Sequence, residues 1–516
     1  MERRRLRGLV RRPTMEEVIK LAAEEYISLS DEDAKELTEC IDESLSHCDR
    51  VDELPQPHFE IKFTQRNPGY RPTPEEDPFN LFIRKCEIKG APTGKLAGKK
   101  VALKDNIAVA GIPMTNGSMA MIDFIPEFDA VVVERLLDEG ATIVGKLNQA
   151  DMSLDGTSET SPFGIVRNPR NPEYAPGGSS SGQGAAVLTG DADIALGVDQ
   201  GGSGRIPPAW TGVCGIKATH GLVPSFGLYY MDHTVDFICP AARTVEEVAL
   251  ALEVIAGEDP RDPQWVRNVR KEEYTKAIRE GLSGLKIGVI KESLEGEELE
   301  EDVKQAVSKS IKRAEDQGAV VRKVSVPLWK DAWAIWTSVF AHSMSVTYES
   351  SGQGYYHGGY AVPQFVEAYG KARKTRSRDF PPLYILMQVL GKYLRREYDS
   401  VYFAKGQNLR HVFRGQINDL LSEHDVLVTP ATPMKAFKFL DHSPGFKETV
   451  QRVSMAQNTC PLNVTGHPAM VIPCGVGENN LPISLQIIGK HFDESMVFQA
   501  AYNFQLLGCH WERLGR

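Results

Sequence analysis

PGGSSSGQGAAVLTGDADIALGVDQGGSGRIPPAWTGVCGIKATHG, residues 176–221, carries the strongest signal in this chain. It holds two Gly-Gly-Ser turns, Gly177-Gly178-Ser179 and Gly201-Gly202-Ser203, around a short helical run and a short apolar run. No acidic or basic side chain stands directly beside either serine. Glycine lets the backbone bend sharply and brings amide N–H groups close to a ligand, as a nucleophile beside an oxyanion site requires. Chemistry is expected here.

On both sides, short apolar runs alternate with helical patterns. Strands are predicted at 100–103, 141–144, 193–197, 285–290, 320–326, 425–428, 469–472 and 483–488, and helices at 130–137, 245–255 and 302–316. This alternation predicts an α/β layered fold, a mixed β-sheet covered by helices on both faces. Ahead of it, residues 14–54 read as a helical hairpin. Residues 14–17 spell a capping box, Val18, Ile19, Ala22, Ala23 and Tyr26 share a face, and Ser30 opens a second helix carrying Ala34, Leu37, Ile41 and Leu45. A hairpin alone buries little, so these faces are expected to pack on the main body or on another subunit. The Pro-rich residues 54–78 read as a linker. The chain therefore divides into a helical region with linker, 1–75, and a large domain, 76–516. Within the latter, residues 329–408 break the rhythm with Trp333, Trp336, Phe340, Tyr348, Tyr355, Tyr356, Tyr360, Phe365, Tyr369, Tyr384 and Tyr402. Such rings either pack helices or line a substrate entrance.

The formal charge of −10 is spread over 59 Lys and Arg and 69 Asp and Glu, an ordinary soluble surface with no basic stripe to attract nucleic acid. The start, MERRRLRGLVRRP, is Arg-rich but lacks the apolar region of a secretory signal. No window approaches the run of about 18–20 apolar residues that crosses a membrane. The eight cysteines are scattered without CxxC spacing or nearby paired histidines, which argues against zinc and against a disulfide framework and fits a reducing cytoplasm.

Two serines on glycine turns and a lysine at a strand end suggest a Ser-Ser-Lys relay. A lysine serves as base only where burial keeps it neutral. Lys104 lies between Val101-Ala102-Leu103 and Ile107-Ala108-Val109, unlike the many lysines in charged runs. GGSSSG (177–182), DQGGSGRIP (199–207), CGIKATHG (214–221), ALKDNI (102–107) and the 24-position interval from Ser179 to Ser203 together resemble the amidase signature family, over about residues 82–511. The DQGGS variant, the N-terminal helices and VTGHPAMVIP (464–473) are similar to the bacterial amidases found beside nitrile hydratases. The resemblance implies Ser203 as the acylated nucleophile, Ser179 as a bridging serine after a cis peptide bond and Lys104 as the base. It places the oxyanion on the N–H groups of Gln200, Gly201, Gly202 and Ser203. The implied reaction is hydrolysis of a small-molecule amide to carboxylate and ammonia or amine, with esters and carbamates also open. It needs no metal or organic cofactor and implies a homodimer built through the N-terminal helices.

Asp199 and Arg205 are read as orienting the loop or pairing with each other, and Lys217 as scaffolding. Ser180 is the expected neighbour of the relay, and Ser181 a small turn residue. Met152, in the family's substrate-facing segment, either contacts the acyl group or fills the core. His220 and His467 permit a Ser-His-Asp triad on paper, but no GxSxG elbow accompanies them. The chain departs from the family at Gly204, where a branched aliphatic is usual, at Ala218, where proline is usual, and at Cys239, where glycine is common. Gly204 implies either a wider acyl pocket or a volume filled from elsewhere. The glutaminase-like subunit of a transfer-RNA amidotransferase shares the relay and is the alternative enzyme; a phosphate-binding loop would need a closing GK[ST] that is missing.

Overall fold

The computed structural model describes residues 10–264, 269, 271–279, 281–354 and 358–508. The first nine residues of the Arg-rich start, Tyr355, Tyr356 and Cys509 lie outside the described residues. The chain forms two units, Met1–Glu60 and Ile61–Arg516.

In the first unit the helices Met15–Glu24 and Asp31–Glu53 form the hairpin. Thr14 and Glu17 close the capping box and Ser30 caps the second helix, so both helices start where their first amides find side-chain acceptors. Arg12 ties the entry to the second helix through Asp42 at 2.6 Å and Asp49 at 2.7 Å. Val18 and Ala34 are buried, whereas Met15, Ile19, Leu21, Tyr26, Ile27 and Leu37 stay exposed.

The second unit is built on a twelve-stranded sheet among the described residues. Its strands are β1 (Asn67–Tyr70), β2 (Phe82–Lys89), β3 (Lys100–Lys104), β4 (Thr142–Leu147), β5 (Ile194–Asp199), β6 (Cys214–Lys217), β7 (Phe237–Ala242), β8 (Lys286–Ile290), β9 (Val320–Val324), β10 (Val426–Pro430), β11 (Ala469–Val476) and β12 (Pro482–Ile488). They lie in the order β1-β2-β4-β3-β5-β7-β6-β11-β12-β10-β8-β9, with parallel and antiparallel pairs mixed. Strands β3, β5, β7, β11 and β12 are wholly or almost wholly buried, as runs covered by helices on both faces must be. The mixed α/β sheet is as the sequence predicts.

The segment read as a linker carries an edge strand, β1, which pairs with β2. Pro68 is tolerated there because an edge needs no donor on its outer side. Gly69, at φ +67°, presses against the Lys85 carbonyl, where a Cβ would collide. Strands β6 and β7 also go beyond the sequence expectation. Pro240 hides β7, and it is accommodated because β6 pairs only with Ala241 and Ala242. Among the described residues no helix is long and apolar enough to cross a membrane.

Candidate active site

Strands β3 and β5 are hydrogen-bonded neighbours, and their ends converge on the two glycine turns. Lys104, the last residue of β3, donates from Nζ to Ser179 Oγ at 2.7 Å, and both side chains are fully buried. Burial in this apolar sheet lowers the Lys104 pKa to about 7, with Asp199, Cys239 and Asp236 partly opposing the shift. The Gly178–Ser179 peptide is cis. The Ser179 carbonyl accepts from the Ala150 amide at 3.0 Å, which fixes the turn from below.

The second turn is wrapped around Asp199, at the end of β5. Its Oδ1 accepts from the Gly202 amide at 2.7 Å and from Asn463 at 2.8 Å. Its Oδ2 accepts from the Gly204 amide at 3.2 Å and from Arg205 Nε at 2.8 Å. Arg205, fully buried, reaches on to Gln486 at 2.8 Å and Asn463 at 2.6 Å. Asp199 and Arg205 therefore both pair and orient the loop. Trp336 Nε1 donates to the Gln200 carbonyl at 2.8 Å and Thr459 Oγ1 to the Gly201 carbonyl at 2.7 Å. Gly202, at φ +143°, has Thr459 and Ile206 where a Cβ would stand. With the loop carbonyls pinned, the amides of Gln200, Gly201 and Ser203 have no acceptor among the described residues. Three unpaired donors beside one serine form a site for an anion. The Gly202 amide is already taken by Asp199.

Ser203 and Gly178 line one cavity of about 190 Å³. Its walls are apolar: Trp333, Trp336 and Phe340 stack in sequence at 4.7 and 4.1 Å, facing Leu383, Met387 and Met455. Asp155 is the one carboxylate on the lining, with Oδ1 turned to Thr157 and Oδ2 to Thr160; no lysine, arginine or histidine lines it among the described residues. No hydrogen bond joins Ser203 to Ser179 among the described residues, so the relay is closed on the lysine side alone. Catalytic hydrogen bonds are often long before substrate binds.

The other candidates fall outside this cavity. Met152 is fully buried at φ 50° and accepts from Asn116 through sulfur at 3.7 Å, while Ser153 and Leu154 reach the lining in its place. Ser180 pins to Val198, donating to its carbonyl and accepting from its amide, both at 3.1 Å, and so braces β5 rather than the relay. Lys217 donates to the His467 and Ala218 carbonyls under the Phe237 ring. His220 bonds the His233 carbonyl, and His467 bonds Thr465 and Asn418. Neither histidine reaches a serine, and burial lowers the His220 pKa to about 4.

Gly204 does not line the cavity. A Cβ there would stand 2.5 Å from Cys239 Cβ and 2.7 Å from its Sγ. The side chain of Cys239 fills the volume that the branched residue would take. No local pattern in the sequence marks the hold of Asp236 on Gln200 at 2.9 Å, nor the parts played by Thr459, Asn463 and Gln486. Among the described residues no group of His, Cys, Asp and Glu side chains is placed to hold a metal ion.

The Amidase family matches residues 83–498. A glutamyl-tRNA(Gln) amidotransferase subunit of Methanosarcina barkeri is 38% identical, over 82% of this chain and 87% of its own. The solved structure of the corresponding glutamyl-tRNA(Gln) amidotransferase subunit from Thermotoga maritima is 31% identical with a TM-score of 0.68, covering 83% of this chain and 88% of that one. That of a bacterial aryl acylamidase of the amidase signature family is 25% identical with a TM-score of 0.69, covering 82% and 86%. With a family match across most of its length and relatives above 30% identity along nearly their whole chains, this protein belongs to the amidase family and is an enzyme acting on C–N amide bonds.

Proposed function

We propose that the chain is a free-standing hydrolase of apolar amides, of the kind found beside nitrile hydratases, working through Lys104, Ser179 and Ser203. Neutral Lys104 draws the Ser179 proton as Ser179 draws that of Ser203. Ser203 Oγ then attacks the amide carbonyl carbon, and the oxyanion settles on the N–H groups of Gln200, Gly201 and Ser203. The same chain returns a proton to the leaving nitrogen, the C–N bond breaks, and water hydrolyses the acyl-Ser203 ester. Esters and carbamates of similar shape would be acylated in the same way.

The observation that carries the substrate class is the lining beside Ser203, mostly aromatic and aliphatic, with no cationic side chain among the described residues. The identity to amidotransferase subunits favours a second reading, glutamine cleavage within a complex. Glutamine, however, brings a carboxylate and an ammonium group, and a mostly apolar lining with no cation among the described residues gives its carboxylate no charged partner. The N-terminal region, 1–75, is assigned to a homodimer interface: its hairpin leaves Ile19, Leu21 and Leu37 exposed. The domain 76–516 carries the chemistry, with 329–408 supplying the aromatic wall.

The test is the purified chain alone against aryl and aliphatic amides, esters, carbamates and glutamine, following acid and ammonia separately. Apolar amides should turn over, and Ser203→Ala should lose activity by about 10⁴-fold or more together with the acyl-enzyme. Activity confined to glutamine, or a fully active Ser203→Ala, would overturn the proposal.

A further inference from the structure

Away from Ser203, a second cavity of about 180 Å³ is lined by Gln407, Arg410, His411 and Arg414 of the helix Val401–Glu423, with Thr234, His220 and Gly466. Arg410 and Arg414 are one helical turn apart, so their like charges face the same way. Arg410, 8% exposed, has only neutral acceptors among the described residues: Val464 O at 2.9 Å, Thr234 Oγ1 at 3.0 Å, Gln407 Oε1 at 3.1 Å and Thr234 O at 3.1 Å. Arg414 donates from Nε to Thr465 O at 2.9 Å, and its two Nη groups carry no hydrogen bond among the described residues. Neither guanidinium is in an ion pair among the described residues. Asp232, whose Oδ1 accepts from Thr234 and whose Oδ2 is buried without a hydrogen-bond partner among the described residues, acts on Arg410 and compensates it in part, whereas burial alone lowers the Arg414 pKa with no carboxylate opposing it. The positive excess also reaches the neighbouring imidazoles. Burial lowers the pKa of His220, His467 and His491, and Arg414 lowers each further. The partly buried Arg414 is left short of a counter-charge, which is costly, and a bound anion would offset it.

The same two arginines hold elements that shape the Ser203 loop. Their acceptors, Val464 and Thr465, end the helix Cys460–Thr465, whose Asn463 bonds Asp199 and Arg205. Thr459, just ahead of that helix, bonds the Gly201 carbonyl. Thr234, the other acceptor, lies two residues from Asp236, which accepts from Gln200. An anion drawing on the guanidinium groups thus pulls on both attachments of the loop.

We propose that this cavity binds a small oxyanion, a phosphate or carboxylate group held between Arg410 and Arg414, and that its occupancy tunes the 199–203 loop. The inference rests on the proposed function only in assigning that loop to the reaction, and binding is read independently of activity. Calorimetry with sodium phosphate and, separately, sodium acetate, at ionic strength held constant with chloride, reports the site directly. Saturable binding of at least one anion is expected, weakened about tenfold in Arg414→Gln, which removes a bidentate charged partner. Tighter phosphate binding would point to a phosphorylated ligand, and equal or tighter acetate binding to a carboxylate such as the acid product. At saturation, kcat/KM for an apolar amide should shift by about threefold or more in the native chain and stay unchanged in Arg414→Gln. Arg410→Lys, which keeps the charge but loses the fork, should bind less tightly and still fold. Absence of saturable heat with either anion, or undiminished binding in Arg414→Gln, would remove the site. Binding with no kinetic change would remove the coupling to the loop.

Discussion

Gly204→Ile tests where the side chain usual at this position would go. A Cβ on Gly204 falls 2.5 Å from Cys239 Cβ, 2.7 Å from Cys239 Sγ and 3.1 Å from Asp199 Cβ. Cys239 has little room to yield: β7 pairs it with Gly197, and its carbonyl accepts from Gln183 at 2.8 Å. Inserting methylenes into a packed core costs about 1–3 kcal/mol, and a whole isoleucine side chain against these atoms should reach about 3 kcal/mol or more. Cys239→Gly removes both colliding atoms; alone it leaves a small cavity and a freer backbone, a loss of about 1–2 kcal/mol. If positions 204 and 239 share one volume, the double variant regains about 2–3 kcal/mol relative to the sum of the singles. Urea denaturation followed by tryptophan fluorescence on all four proteins measures this coupling, and kcat/KM for a small and a bulky amide is taken on the same samples. Additivity within about 0.5 kcal/mol would refute the shared volume. So would a change of acyl selectivity in the folded double variant, because the side chain would then occupy the cavity beside Ser203.

With unprotonated Lys104 as the proposed base and burial lowering its pKa to about 7, activity should rise with pH through an inflection near 7. Asp236, pushed up to about 7 by burial, titrates in the same range, so Asp236→Asn should keep the inflection; a flat profile from about pH 5.5 to about 9 would contradict the role of Lys104. Arg205→Met should destabilise the fold by about 3–5 kcal/mol, since it strands the buried Asp199 carboxylate, and Asp199→Asn/Arg205→Met should recover part of that in the same denaturation assay. Ile19→Glu/Leu21→Glu should convert a dimer to a monomer by light scattering while leaving kcat/KM unchanged; a dimer that survives would move the interface elsewhere.

The parts of the fold that were legible are those where apolar runs stand alone, such as the Lys100–Lys104 and Ile194–Asp199 strands. Strand β2, FIRKCEIK, has Arg84 and Lys85 in its middle, and β7, FICPAA, has a proline, so neither shows a clean period. At the proposed site, the glycine turns around Ser179 and Ser203 stand out locally, whereas the apolar flank of Lys104 is a weak mark and the roles of the three come from the family resemblance; the structure brings Lys104 to Ser179. Their supports were not legible. Asn463 and Gln486 reach Arg205 across 258 and 281 positions, and Trp336 reaches Gln200 across 136. Single polar residues carry no local pattern; the β6-β11-β12 pairing brings in Asn463 and Gln486 and the helix Ala332–Glu349 brings in Trp336, an arrangement that alternation does not specify. Gly204 and Cys239 were each visible as a departure. That one compensates the other emerges only when β7 is placed beneath the loop.

The buried charges around Ser203 favour Lys104 over Lys217 as the proposed base. Three basic side chains, Lys104, Arg205 and Lys217, are buried with the carboxylate of Asp199. Burial raises the Asp199 pKa, but Arg205, Asn463 and Lys217 outweigh it and hold the group below the usual carboxylate range. That charge is committed to Arg205 through two hydrogen bonds, at 2.8 and 3.1 Å. Little of it remains to hold a proton on either lysine, and burial lowers both to about 7. What separates them is the neighbour. Lys217 donates to two backbone carbonyls, which cannot give up a proton, whereas Lys104 meets Ser179 Oγ, which can. On the proposed mechanism a lysine shifted by burial serves as base only where its acceptor carries a transferable proton, and Lys104 at the end of β3 meets that condition through Ser179.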